Sequence, residues 1–310
     1  MYSGGQQPIR LNAAAGGAGG SWYVLLEGLA ELIHDINPNL EIQVVEGGGI
    51  YNHENVGLGH ILMAILNPPM TAAALAGRPP FEHPYSDLRI GITNLSVNYL
   101  QFVVAYDIPL VRLEEWPRTG YPLRMPVDRA GTVDRMVFEL ALEHLGMSDQ
   151  GTERWTSRLV PTRNYNEQLA LYAREETDGF WQFMAIPSPS IEAGHSIRPV
   201  KFLSLPQDFI QKLEQLGWTS AKIPEGAYDV VEKPVVTVSM GTSLGFHASV
   251  PDDVVFSIVE AICEHPGRVQ AMHPAALNFD PEQAYLGSGG PLHPGAEKYF
   301  KTKGLSASEN

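Results

Sequence analysis

Apolar and polar positions follow two different periods along this chain, and the switches between them mark its elements. IRLNAAA has the short apolar texture of a strand. In SWYVLLEGLAELIHDI, the residues Trp22, Leu25, Leu26, Leu29, Leu32 and Ile33 recur every three or four positions. That spacing predicts an amphipathic helix with Ser21 as its N-cap. LEIQVVE predicts a second strand, and the glycine-rich stretch GGGIYNHENVGLG a loop with a short helix. HILMAIL predicts a buried strand that runs into Asn67-Pro68-Pro69, and MTAAALAG a helix ending at Gly77. LRIGITNL and NYLQFVVAY predict two further strands.

After Tyr106 the texture becomes polar and turn-rich, then resumes with the strand LRMPV and the helix TVDRMVFELALEHLG. NEQLALYARE predicts a helix, TDGFWQFMAIP an aromatic strand, and QDFIQKLEQLG another helix. Near Val235 the β-branched texture of the first part returns in PVVTVSMGTSLGFHASV, followed by the helix PDDVVFSIVEAICEH. Strands alternating with helices imply α/β architecture with mainly parallel sheets. The change after Tyr106 and the return near Val235 predict two lobes. Residues 1–106 and 235–310 would form the first, and 107–234 an inserted second. The two crossings would act as a hinge, and the cleft between the lobes would be the binding site.

Composition narrows the function. The formal net charge is −14, which makes nucleic acid and anionic membrane poor partners on electrostatic grounds. The single cysteine, Cys263, forms no internal disulfide and completes no cysteine zinc site. The apolar runs are too short and too broken by proline to span a bilayer. MYSGGQQPIR has no apolar leader core. A mature exported protein begins this way once its leader is removed, and so does a cytosolic one.

The enzyme motifs are incomplete. A GxGxxG fingerprint starting at Gly17 fails at Trp22, and GxxxxGK[ST] is absent, so no nucleotide cofactor is expected. The histidines lack the spacing of a metal-binding helix face, and the prolines after His265 and His273 mark helix ends, so no metal is expected. Gly241-Thr242-Ser243-Leu244-Gly245 fits GxSxG, with acids and histidines following in hydrolase order. A nucleophile elbow needs a helix directly after its turn. Here FHASV reads as a strand, and the helix waits until Pro251. A glycine-rich β-turn is the expectation, and a serine hydrolase acting through Ser243 is the alternative.

The tail segments HPAALNF and GGPLHPGAEKYFKTKGL, with GGAGGSWY near the start and IPEGAYDVVEKPVVTV, together resemble the solute-binding proteins of TAXI-type TRAP transporters. The resemblance implies a two-lobed type II periplasmic-binding-protein fold and a periplasmic location. It implies a receptor without catalysis, which hands a small organic solute to a TRAP-type membrane subunit. The solute would be a carboxylate such as an amino acid, keto acid or dicarboxylate.

On this reading the loop Gly16–Gly20, with Gly19 in it, lies at a strand end and leads into a helix N-terminus. Backbone N–H groups there suit a carboxylate. Ser21, Trp22 and Tyr23 would sit at the rim, unless Trp22 and Tyr23 belong to the helix core stripe. Tyr51 or Asn52 would reach in from the next strand end. Proline forces Asn67 into extended geometry, so its amide either faces the crevice or serves an ordinary turn. In the second lobe, Gly131, Thr132 and Val133 occupy the place of the family's carboxylate-holding turn. Arg135 would add a charge-assisted bond or lie on a solvated face, while Asp128 and Asp134 would oppose an anion. Phe180 and Trp181 are strand neighbours and point opposite ways, so one is core. Trp181 is taken as closing the cleft, with Gln182 hydrogen bonding beside it.

Overall fold

The computed structural model describes residues 8–147 and 158–305. Its first run of elements is β1 (Ile9–Ala14), α1 (Ser21–Ile36), β2 (Leu40–Val45), α2 (Gly49–Gly57), β3 (Met63–Leu66), α3 (Pro68–Ala76) and β4 (Leu88–Ile92). A second run follows with β5 (Val97–Ala105), α4 (Glu115–Thr119), β6 (Arg124–Val127), α5 (Val133–His144), β7 (Arg158–Pro161) and α6 (Tyr165–Ala173). It continues with β8 (Gly179–Met184), α7 (Pro189–Ile197), β9 (Val200–Phe202), α8 (Gln207–Gln215), β10 (Thr219–Ile223) and β11 (Val235–Gly241). The last run is β12 (Ser243–His247), α9 (Asp252–Cys263), α10 (Pro266–Met272) and α11 (Pro294–Thr302).

The chain divides into two compact units. Among the described residues, the first comprises 8–16, 21–96 and 241–305, and the second 17–20 and 97–240. The chain therefore leaves the first unit after Ser96, earlier than the change of texture at Tyr106. It returns at Gly241, later than the expected boundary at 234. Both offsets have one cause: β5 and β11 are neighbours in the second unit's sheet.

In the first unit the strand order is β2-β1-β3-β12-β4. β1 runs parallel to both β2 and β3, while β12 is antiparallel to β3 and β4. One face is covered by α1, whose stripe Leu25, Leu26, Leu29, Leu32 and Ile33 is fully buried together with Val255, Ile258 and Ile262 of α9. Each such side chain contributes roughly 1.5–3 kcal/mol by leaving water. The α1 helix begins at Ser21 itself. The α3 helix begins at Pro68, inside the proline pair, because a first-turn residue needs no helical N–H partner. Asn67 is its N-cap, and Gly77 ends it at φ 61°.

The second unit departs from the expected parallel arrangement. Its main sheet has the order β10-β11-β5-β8, with β9 also on β5. The β10–β11, β5–β8 and β5–β9 pairs are all antiparallel. β6 and β7 pair in parallel, as a separate ribbon. A short link joins β10 directly to β11 without a crossover helix, and such a connection returns the chain antiparallel. The fold is α/β with two mixed sheets.

Candidate functional site

In α/β sheets of this kind, the loops after the carboxyl ends of strands carry ligand-binding groups. In the first unit these are the ends of β1 and β3, the start of antiparallel β12, and the N-termini of α1, α2 and α3. Trp22, in the first turn of α1, is half-buried and donates its indole N–H to Thr242 Oγ1 at 2.8 Å. Ser96 donates its hydroxyl to the same oxygen at 2.6 Å. Backbone bonds from Thr242 N to Ser96 O and from Leu95 N to Thr242 O, at 2.9 and 3.0 Å, close the same junction. Ser21 is buried, Tyr23 is half-buried against the core, and Tyr51 stands 44% exposed on α2.

Asn52 is not a rim residue. It is fully buried, and its amide N–H group donates to Ala15 O and Ile65 O, each at 2.7 Å. Its Oδ1 accepts from Gly48 N at 3.0 Å. The side chain thus ties the ends of β1 and β3 to the start of α2, which leaves it nothing to offer a solute. Gly47 makes room for it, since a Cβ there would stand 2.1 Å from Asn52 Oδ1.

Asn67 follows β3 in extended geometry (φ −141°, ψ 143°) and is 0% exposed. Its Oδ1 accepts from Met70 N at 3.2 Å, which caps α3. That bond turns Oδ1 toward the helix and leaves Nδ2 on the other side of the amide, where it has no acceptor. Beneath it, Thr71 donates to Asn67 O at 3.0 Å, and the His53 ring is held between Thr71 Oγ1 and Gly49 O. Burial depresses the His53 pKa to about 4, so the ring is neutral at ordinary pH.

In the second unit, the four residues Gly17–Gly20 pack on the N-terminus of α6. Gly19 has φ +83°, and a Cβ there would stand 2.7 Å from the amide of Asn166. Gly131 also has positive φ, 84°, in the turn that leads to α5. The Thr132 hydroxyl accepts from Arg135 N at 3.2 Å and donates to Arg129 O at 2.9 Å, so it serves the helix cap. Val133 is buried at 1% exposure, and Arg135 pairs with Glu139 one turn on. These residues occupy the predicted turn, but their side chains are committed to the protein itself.

Two acids dominate that turn. Asp134 Oδ1 accepts from Phe183 N at 2.7 Å and from the Tyr165 hydroxyl at 2.9 Å. Burial, then the nearby charge of Asp128, pushes its pKa up. Asp128 accepts from Arg129 N at 2.7 Å and is also raised by burial. Trp181 is 2% exposed and belongs to the core. Its ring packs on Phe102 and Phe138, with centroids 5.5 and 5.1 Å away, and its indole N–H donates to Asp134 O at 3.1 Å. Gln182 is likewise enclosed, donating to Gln168 Oε1 at 3.1 Å and accepting from Ser190 Oγ at 2.9 Å. The strand β8 is buried along its whole length, so alternation left neither face open for Trp181.

Sequence reasoning missed Thr242, Ser96, Tyr165 and Gln168. Thr242 lies within the GxSxG match, directly before Ser243. Ser243 sits inside β12 opposite Leu66, is 0% exposed, and its Oγ touches no hydrogen-bond partner. A serine without a base, in a strand rather than a turn, is no nucleophile elbow. Among the described residues no three His, Cys, Asp or Glu side chains gather as a metal site, and no helix is long and apolar enough to cross a membrane.

Known structures share this architecture. R. palustris Rpa4515 with adipate matches 84% of this chain and 85% of its own at 16% identity, with a TM-score of 0.56. The periplasmic binding protein BugD matches 98% and 100% at 15% identity, TM-score 0.53. MatC (Rpa3494) from Rhodopseudomonas palustris with bound malate matches 93% and 91% at 15% identity, TM-score 0.52. The fold is that of type II periplasmic binding proteins. A sequence model of the NMT1-like family matches residues 13–304.

Proposed function

The chain belongs to the NMT1-like family, and from that premise we propose that it is a periplasmic solute receptor of the TAXI type. It takes up a small organic acid without chemical change and delivers it to a TRAP-type membrane transporter. The observation that carries this reading is Asn67: a fully buried amide whose Nδ2 lacks an acceptor at a strand end. A carboxylate or carbonyl oxygen of a solute supplies the missing partner. The first turn of α1 adds backbone N–H groups that have no partner inside their helix, and its dipole favours an anion. Trp22 gives an aromatic wall held by Thr242. The adipate and malate bound by two structures of the same fold support an organic acid as the guest.

A thermal-shift and calorimetric screen of amino acids, keto acids, malate and adipate tests this. A ligand at a hundred times its dissociation constant adds about 2.7 kcal/mol to stability. Asn67→Ser keeps an N-cap oxygen for Met70 but removes the amide donor. It should retain the ligand-free unfolding midpoint while weakening the hit about tenfold, or about 1.4 kcal/mol. A flat screen, or full affinity in Asn67→Ser, overturns the reading.

A further inference from the structure

A chain of buried amides and hydroxyls threads the second unit. Gln101 Nε2 donates to Ala185 O at 2.9 Å, and Gln101 Oε1 accepts from the Tyr228 hydroxyl. The Tyr228 oxygen accepts from Ser188 N at 2.6 Å, and the hydroxyls of Ser188 and Ser190 meet at 3.0 Å. Ser190 donates to Gln182 Oε1 at 2.9 Å, and Gln182 Nε2 donates to Gln168 Oε1 at 3.1 Å. There the chain stops. Gln168 is 0% exposed, and its Nε2 has no acceptor. An amide nitrogen carries two donors, and leaving them unmade in the interior costs more than an ordinary hydrogen bond contributes. Turning both the Gln168 and Gln182 amides over leaves the Gln168 oxygen unpaired instead. One end of Gln168 therefore lacks a protein partner in either sense.

The free amide is tied to a helix start. Ser190 lies in the first turn of α7, a nine-residue helix with proline at its opening. Its N-cap, Ser188, makes no side-chain cap bond. Gln182 links the Gln168 amide oxygen to Ser190 of that turn, whose Ile191 and Glu192 N–H groups bond to Ser188 O. The Gln182 amide was expected to meet a solute; the structure spends both of its ends on this linkage and leaves the open donor on Gln168.

We propose that Gln168 Nε2, whose amide is linked through Gln182 to Ser190 at the start of α7, is a binding position in the second unit for an acceptor oxygen, that of a carboxylate or carbonyl compound. Gln182 and Ser190 act as positioning residues. The inference rests on the solute-binding reading for the kind of guest.

Side-chain amide resonances test it on the full-length protein with acetate as the probe, taken to about 50 mM so that a site with a dissociation constant near 1 mM saturates. Gln168→Glu assigns the Gln168 signal by its disappearance, keeps an acceptor for Gln182, and removes the donor. The Gln168 signal should shift with acetate and saturate, and the shift at other buried amides of the second unit should vanish in Gln168→Glu. The measurement on the unmodified protein stands even if that variant fails to fold, since the Asn67 and Gln168 signals can be assigned through the backbone. A Gln168 signal that stays still, or moves only in proportion to acetate as exposed amides do, overturns the proposal. Saturable shifts with methylammonium instead of acetate also overturn it, because they make the open atom an acceptor. Movement of Asn67 alone sinks this inference and leaves the first-unit reading standing. Movement of neither sinks both.

Discussion

Trp22 and Thr242, 220 positions apart in sequence, share a 2.8 Å hydrogen bond. Thr242 Oγ1 also accepts from the buried Ser96 hydroxyl. The oxygen thus joins the start of α1 to the residue ahead of β5 and to the link between β11 and β12. Thr242→Val removes that acceptor and leaves two donors unmet. We expect a loss of about 2–3 kcal/mol in the stability of the first unit, against about 1 kcal/mol for Trp22→Phe, which removes one neutral bond. Urea unfolding followed by hydrogen exchange of the first-sheet amides compares the two. Equal costs would mean that Thr242 is not the shared acceptor.

Asn52 is the buried tie between β1, β3 and α2. Asn52→Leu strands two backbone carbonyls and one backbone N–H, so a cost of about 3 kcal/mol or more is expected. If Asn52 instead served a solute, the substitution would lower ligand affinity and leave the ligand-free urea midpoint in place.

Two buried groups bend the stability profile in opposite directions. Asp134 has a raised folded pKa, so the folded form holds its proton where the unfolded chain has already released it. Its contribution falls as pH rises from about 4, the ordinary aspartate value, toward neutrality. His53 has its folded pKa lowered to about 4. Its contribution is complete above the unfolded value of about 6.5 and is lost as pH falls through that window. Asp134→Asn keeps an oxygen for Tyr165 and Phe183 and removes the first slope. The variant should gain on the parent in urea midpoint as pH rises through that window. A constant difference at every pH would rule out Asp134 as the source.

Ser243→Ala removes a buried hydroxyl that bonds to nothing. Stability should stay level or rise by up to about 1 kcal/mol. A fluorophosphonate probe should leave Ser243 unlabelled. Labelling at that position would reinstate the hydrolase alternative.

Local patterns were legible from the chain alone. The α1 stripe is buried at every position where its spacing put a core residue beyond the first turn, and Asn67 takes the extended geometry that Pro68 imposes. Long-range placement was not legible. Nothing near Ser243 tells that its strand slots antiparallel between β3 and β4, because the pairing partners lie far away in sequence. Trp181 misled for a related reason. Alternation predicts one open face only if a strand has one, and β8 is covered on both sides by elements that arrive from elsewhere. Nothing around Asn52 in sequence reveals its burial, because its three anchoring groups come from separate backbone segments.

The central position of β12 fixes an order of events during synthesis. β3 and β4 leave the ribosome long before the strand that belongs between them. Until Ser243–His247 emerges, both keep unpaired edges that invite wrong partners. The second unit is almost one continuous segment and has no such wait. A chain cut short before β12 is therefore expected to yield a well-formed second unit preceded by a sticky remnant of the first, and the nascent amino-terminal part is where a chaperone would be needed most.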